Sequence, residues 1–426
     1  MADNLIIRHA EIYTPEGDAA LKGKAMDSLR HIPEAAIAIR DGRIAYVGPD
    51  ADLDGKIAEI YGSEEEGAKV RVIDAEGKAV LPGFVDSHTH LIFGGYRPDE
   101  FEWRMKGDSY MSIMERGGGI QSTVNATREA SAEELRQKAV WYLDRMAGMG
   151  VTTVEAKSGY GLSTESELKM LDVIESLASD PKARQHIVAT FLGAHAVPKE
   201  YKGRTAEYVD MMIAEMLPAA KGKAKFCDIF TEKNVFEIED SRRLLQAARE
   251  MGFELKLHAD EIVTLGGAEL AAELGAVSAD HLLHVSDEGV SRMAERGVAA
   301  TLLPLTAFSL KEPYAPARKF IDAGAAVALA TDLNPGSCFS GSIPLTIALA
   351  CIYMNMTIEE TVTALTLNGA AACGMASETG SLELGKLGDL VILEFPNIRM
   401  LPYYVGMNCV GTTVCGGRVT YESSKE

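Results

Sequence analysis

The sequence predicts an α/β fold: a (β/α)8 TIM barrel carrying a small β-sandwich domain formed by the N- and C-terminal segments. Three observations carry this expectation. In the middle of the chain eight short apolar runs alternate with helical stretches, the pattern of a closed parallel sheet with helices outside it. Both ends instead carry short segments in which apolar and polar residues alternate, the period of half-buried strands. Several central runs also finish on a histidine or an aspartate: His88 and His90 close "VLPGFVDSHTH", His258 "FELKLH", His281 "AVSADH" and Asp332 "AAVALATD".

Taken in order, residues 1–78 contain "NLIIRHAEIYT", "AAIAIRDGRIAYVG" and "RVIDAEGKAV" as strands, with Asp41-Gly42 as a hairpin turn. Residues 390–426 repeat this style with "DLVILEF", "VGTTVCGGRVTYES" and a Gly-Gly turn. Neither end has enough strands to stand alone, so both are expected to build one domain, with the barrel of residues 79–389 inserted between them. After its first strand the barrel runs through "GVTTVEAK", "HIVATFLGAH", "AKFCDIF", "FELKLHAD", "GAVSADH", "GVAATLLP" and "AAVALATD". Helical stretches such as "SAEELRQKAVWYLDRMAGMG" and "SRRLLQAAREMGF" separate these strands and end at glycine, as helix C-termini often do. Lys256 fits less simply, because strict alternation puts it on the same face as His258. Either it pairs with a carboxylate inside the barrel or the strand is bulged.

The 426 residues are 47% hydrophobic and 24% charged, ordinary for a globular protein with a full core. The net charge of −20 argues against nucleic acid or an anionic membrane as partner. It also means that an anionic substrate needs a local cation to hold it. Six cysteines occur without a Cys-X-X-Cys pair, and "MADNLIIRHAEIYT" lacks the pattern of a signal peptide. A reduced, cytoplasmic protein is therefore expected. The longest uncharged stretch, residues 333–358, contains Pro335 and Pro344, so its helical part is too short to span a membrane.

In a strand successive side chains alternate faces, so His88 and His90 point to one interior. A lone buried histidine is usually a satisfied core residue. Here position weighs against that, because several separate runs each end on a ligand-type residue where the strand ends of a barrel converge. Three imidazoles and a carboxylate meeting there make a mononuclear metal site, with the remaining histidine free for proton transfer. The residues point to a metal-dependent hydrolase.

These motifs resemble the amidohydrolase superfamily. "LPGFVDSHTHLIFGGYR" is shared widely in it, whereas "KSGYGL", "FLGAHAVP" and "TDLNPGS", with "LHADEI" and "GAVSADHL", are similar to those of its members that open 4-imidazolone-5-propanoate to N-formimidoyl-L-glutamate in histidine degradation. The resemblance covers nearly the whole chain. One departure is "CDIFTEKNVF", where a cysteine is expected at Thr231, which matches no catalytic position. The resemblance implies His88, His90, His258 and Asp332 as ligands of one divalent zinc or iron ion per subunit, zinc being favoured. It implies His281 as general base, with Asp332 also able to accept a proton, and Glu261 as a carboxylate that contacts the ring and passes a proton to the leaving nitrogen.

Arg97, on the loop after His90, is expected to hold a substrate carboxylate in a bidentate pair. Tyr110, Tyr160, His195, Asn334, Gly336 and Ser337 are implied as further substrate contacts. Binuclear relatives bridge two metals with a carbamylated lysine; for Lys157 a hydrogen-bonding role is expected instead, since the ligand set already closes a mononuclear site. His284 is read as a strand cap. A small-molecule substrate and a homodimer are expected. The alternatives are a nucleobase deaminase of guanine or cytosine type, or a catalytically inactive protein of the same fold.

Overall fold

The computed structural model describes residues 4–107 and 118–423. The N-terminal strands are β1 (Leu5–Thr14), β2 (Arg30–Arg40), β3 (Arg43–Pro49), β4 (Arg71–Asp74) and β5 (Ala79–Pro82). Alternating side chains bury both faces of this region. Leu5, Ile7, Ile37 and Ile39 pack on one side, while Ile6, Ala36, Ala38 and Tyr46 meet Leu53, Ile60 and Tyr61 of two short helices on the other. The β2–β3 turn has Asp41 at φ 51° and Gly42 at φ 78°, the doubly left-handed turn that an Asp-Gly pair favours.

The central strands are β6 (Phe84–Asp86), β7 (Val151–Lys157), β8 (His186–Ala194), β9 (Phe226–Thr231), β10 (Glu254–Ala259), β11 (Ser278–His281), β12 (Ala299–Leu302) and β13 (Val327–Leu329). Each is hydrogen-bonded to the next in sequence order, and every pair is parallel. The circle closes just past the strand ends. The His90 N–H donates to the Leu333 carbonyl at 2.9 Å and the Asp332 N–H to the His88 carbonyl at 3.0 Å. The Asp86 carboxylate accepts from Thr331 N–H at 2.9 Å and from its hydroxyl at 2.6 Å. All eight apolar runs are strands of this (β/α)8 barrel.

The last strands are β14 (Leu390–Leu393), β15 (Val410–Cys415) and β16 (Arg418–Glu422). β14 pairs antiparallel with β5, which joins both ends of the chain in one mixed sheet of order β16-β15-β14-β5-β1-β2-β3, with β4 also on β1. By its hydrogen bonds β5 thus lies in the terminal sheet, and the barrel's first strand begins at Phe84. At the junction His186 of β8 lies 3.1 Å from Asp389, whose other oxygen accepts from Thr379 at 2.7 Å.

Helix Ala132–Gly148 opens on a Ser131–Glu134 capping box, which satisfies its first free N–H groups. Within residues 333–358 the helix is Ile343–Tyr353, of 11 residues. Among the described residues no helix is long and apolar enough to cross a membrane.

Candidate metal centre and substrate pocket

The strand ends bring the predicted ligands together. His88 Nε2 and His90 Nε2 lie 3.5 and 3.4 Å from Asp332 Oδ1, and His258 Nε2 lies 3.4 Å from His90 Nε2. All four side chains are at most 3% exposed. Behind them, His88 Nδ1 is 2.6 Å from Asp280 Oδ2, His258 Nδ1 is 3.0 Å from Asp228 Oδ2, and Asp332 Oδ2 accepts from the Thr306 hydroxyl at 2.6 Å. A carboxylate behind Nδ1 favours the proton there and leaves the Nε2 lone pair facing the centre.

The arrangement suits a divalent cation. Among the described residues His88 Nε2 and Asp332 Oδ1 are buried with no hydrogen-bond partner, a cost of about 1–3 kcal/mol each unless something else satisfies them. His258 Nε2 and His90 Nε2 stand 3.4 Å apart; with each proton on Nδ1 their lone pairs would repel, and a cation between them would turn that repulsion into coordination. Burial first, and then the Lys157 ammonium, hold His88 well below the usual imidazole range; burial and His258 do the same for His90. Both are therefore neutral, as ligation requires.

Beneath the ligands lies a fully buried layer of charge: Lys157 and Lys256 among Glu155, Asp228 and Asp280. Lys256 donates to the Ser87 carbonyl at 2.9 Å and lies 3.4 Å from Glu155. Strand β10 keeps an unbroken register beside it. The first of the two explanations for Lys256 therefore holds. Lys157 donates to Glu155 and Asp228, both at 2.8 Å.

At the rim, the His281 ring lies tilted at 36° to that of His258 with centroids 5.1 Å apart, and its Nδ1 lies 3.5 Å from Glu261 Oε1. Its φ of +75° is unusual for a residue with a side chain, a strained conformation of the kind that collects at functional sites. Burial pushes His281 down to about 3 and Glu261 up to about 8. His281 is thus a neutral base and Glu261 a protonated acid near pH 7. His195 and His281 also reach the ligand cluster, His195 with His90 and His258, His281 with His88 and His258. Proximity alone therefore does not separate ligand from base: aspartates back His88 and His258, Glu261 lies beside His281 Nδ1, and His90 Nδ1 has no partner among the described residues.

Tyr160 and His195 line the wall beside His90, the two imidazoles stacked with centroids 4.7 Å apart. His195 Nδ1 lies 3.0 Å from the Gly159 carbonyl, which leaves Nε2 as an acceptor. The loop carrying Tyr160 is folded around the buried Glu167, whose carboxylate accepts the N–H groups of Gly159, Gly161 and Leu162 at 2.7–2.9 Å.

Asn334 Oδ1 accepts from Gly336 and Ser337 N–H at 2.8 and 2.7 Å, and its Nδ2 donates to the Ser337 hydroxyl at 2.9 Å, shaping the turn after Asp332. Arg97 lies over this turn. A Cβ on Gly336 would stand 1.8 Å from Arg97 Nη2, so any side chain there would push the guanidinium from this position. Among the described residues Arg97 Nε is buried without a hydrogen-bond partner, and Glu100 Oε2 lies 3.5 Å from Nη1. Tyr110 lies outside the described residues. Thr231 bonds the Ser241 hydroxyl at 3.0 Å, and His284 N–H donates to the Asp260 carbonyl at 2.8 Å.

Sequence reasoning missed Asp228, Asp280, Glu155, Thr306 and Glu167. Asp228 and Glu155 carried a signal, each being a charge inside an apolar strand run. Thr306 and Glu167 sit on helices and carried none.

The Amidohydrolase family model matches residues 79–420. The imidazolonepropionase of Phocaeicola vulgatus is 60% identical over 99% of this chain and 100% of its own length. That of Bacteroides fragilis is 60% identical over 98% and 99%. Among solved structures, E. coli guanine deaminase superposes with a TM-score of 0.70 over 99% of this chain and all of its own, but at 15% identity, which speaks for the fold alone. The chain belongs to the amidohydrolase family, and within it to the imidazolonepropionases.

Proposed function

We propose that this enzyme adds water across the ring amide of 4-imidazolone-5-propanoate and releases N-formimidoyl-L-glutamate. The observation that carries the substrate is Arg97. In a chain of net charge −20, a guanidinium whose buried Nε has no hydrogen-bond partner among the described residues lies over the turn after Asp332, and a propionate tail is the group that answers it.

One divalent ion, zinc by preference, fits His88, His90, His258 and Asp332. When bound, such an ion supplies Lewis acidity that activates water and polarises a carbonyl. His281, neutral at pH 7, takes a proton from the attacking water, with Asp332 as a second acceptor. Oxygen bonds to the ring carbonyl carbon, the ring C–N bond breaks, and Glu261 returns a proton to the departing nitrogen. The carbonyl carbon, still bonded to its ring carbon, becomes a carboxylate of the product. Tyr160, His195, Asn334 and Ser337 orient the ring.

Arg97→Ala tests the substrate. KM for the acid should rise about 10–150-fold, the value of a charge-assisted hydrogen bond of about 1.5–3 kcal/mol. An analogue lacking the carboxylate should bind both proteins alike. An unchanged KM would make Arg97 a solvated loop charge, and equal harm to both ligands would make it a support of the loop.

The six free cysteines accord with a cytoplasmic setting. We also propose a homodimer, supported by the adjoining helices Pro304–Leu310 and Ile343–Tyr353, which expose Phe308, Ile352 and Tyr353. Sedimentation at a single-chain mass would refute it.

A further inference from the structure

Lys157 ends β7 with no solvent exposure, and its ammonium meets three carboxylates. It lies 2.8 Å from Glu155 Oε1, 2.8 Å from Asp228 Oδ2 and 3.9 Å from Asp280 Oδ2. The same Oδ2 atoms face the two imidazoles. Asp228 Oδ2 is 3.0 Å from His258 Nδ1, and Asp280 Oδ2 is 2.6 Å from His88 Nδ1. We propose that Lys157 is a shared positioning residue of the metal centre, fixing His258 and His88 together through Asp228 and Asp280. The proposal rests on the ligand reading given above.

The physical reason lies in the carboxylates. The terminal torsion of an aspartate is broad and roughly two-fold, so contact with one imidazole orients it weakly. Each aspartate here is held from more than one direction. Asp228 Oδ1 accepts the Ile229 N–H at 2.7 Å while Lys157 holds Oδ2. Asp280 Oδ1 accepts the Ser278 hydroxyl at 2.7 Å, with the Lys157 ammonium on the Oδ2 side. The imidazoles come from β10 and from the segment after β6, on different sides of the barrel, so a cation between their backing groups couples two ligands that share no strand. Removing it also takes away one of the two buried ammonium groups, Lys157 and Lys256, that offset three buried carboxylates, which favours their rearrangement.

The test measures Co²⁺ affinity, by competition with a chelator, and the visible spectrum of the Co²⁺-loaded protein. Lys157→Met should weaken Co²⁺ binding about 10–100-fold, the usual effect of losing an outer partner of a ligand, and should change the spectrum. Lys157→Met combined with Asp228→Asn should be weaker than the worse single variant by less than the two effects together. Wild-type affinity and spectrum in Lys157→Met, with only a lower Tm of the metal-free protein, would make Lys157 a core ion pair and overturn the proposal. If Lys157→Met does not fold, Asp228→Asn and Asp280→Asn take its place. They keep the shape but lose the ion pair, and wild-type Co²⁺ affinity in both would equally overturn it. His258→Ala separates the two readings. Retained Co²⁺ there refutes the ligand assignment, whereas lost Co²⁺ there beside an unaltered Lys157→Met refutes only the role of Lys157.

Discussion

His258→Ala should fold, lose its divalent ion and lose nearly all turnover. The side chain ends β10 on the barrel's inner face, and its Nε2 lies 3.4 Å from that of His90. Alanine is accommodated by the strand backbone, so the barrel should keep its circular-dichroism spectrum. Three remaining ligands hold an ion poorly, and the Lewis acidity it supplies is worth several kcal/mol in the transition state. A fall in kcat of about 10³-fold or more follows. Metal content measured by elemental analysis after dialysis should drop in parallel. A variant with full metal and wild-type turnover would remove His258 from the site.

His281→Ala should separate catalysis from metal binding. Metal content should stay at the wild-type level while kcat falls about 10²–10⁴-fold, the range for a lost general base. The geometry supports this division. His281 has Glu261 3.5 Å from its Nδ1, on the pocket rim, whereas His88 and His258 are backed by aspartates in the barrel interior. The pH profile adds a check on the acid. Glu261, pushed up to about 8 by burial, must be protonated to donate, so its contribution is present below that value and lost as pH rises through it. Glu261→Gln should flatten that alkaline limb. Loss of metal from His281→Ala would mean that base and ligand have been exchanged.

The barrel was legible because each of its eight strands is an apolar run bounded by loop residues, and four central runs end on the groups that meet in space. His88, His90, His258 and Asp332 could be read from position together with the family motifs. Asp280 could not. It directly precedes His281, and strict alternation lets only one of two neighbours face the interior. The left-handed backbone at His281, φ +75°, breaks the alternation and lets both serve the site. A turn of the chain at one residue leaves no mark in hydrophobic periodicity. Lys256 raised the right question, since a lysine on an inner face must find a carboxylate, but its partner Glu155 lies 101 residues away and only the folded barrel pairs them. Glu167 was hidden for a related reason: it shapes the Tyr160 loop from a helix, where a glutamate usually reads as a solvated charge.

The central claim is tested most directly by incubating the purified, metal-loaded protein with 4-imidazolone-5-propanoate and following loss of the ring absorbance together with the product by mass. The account requires ring opening to N-formimidoyl-L-glutamate, a gain of one water, without release of ammonia. An intact ring after incubation with metal-replete protein, alongside ammonia released from guanine or cytosine, would contradict it.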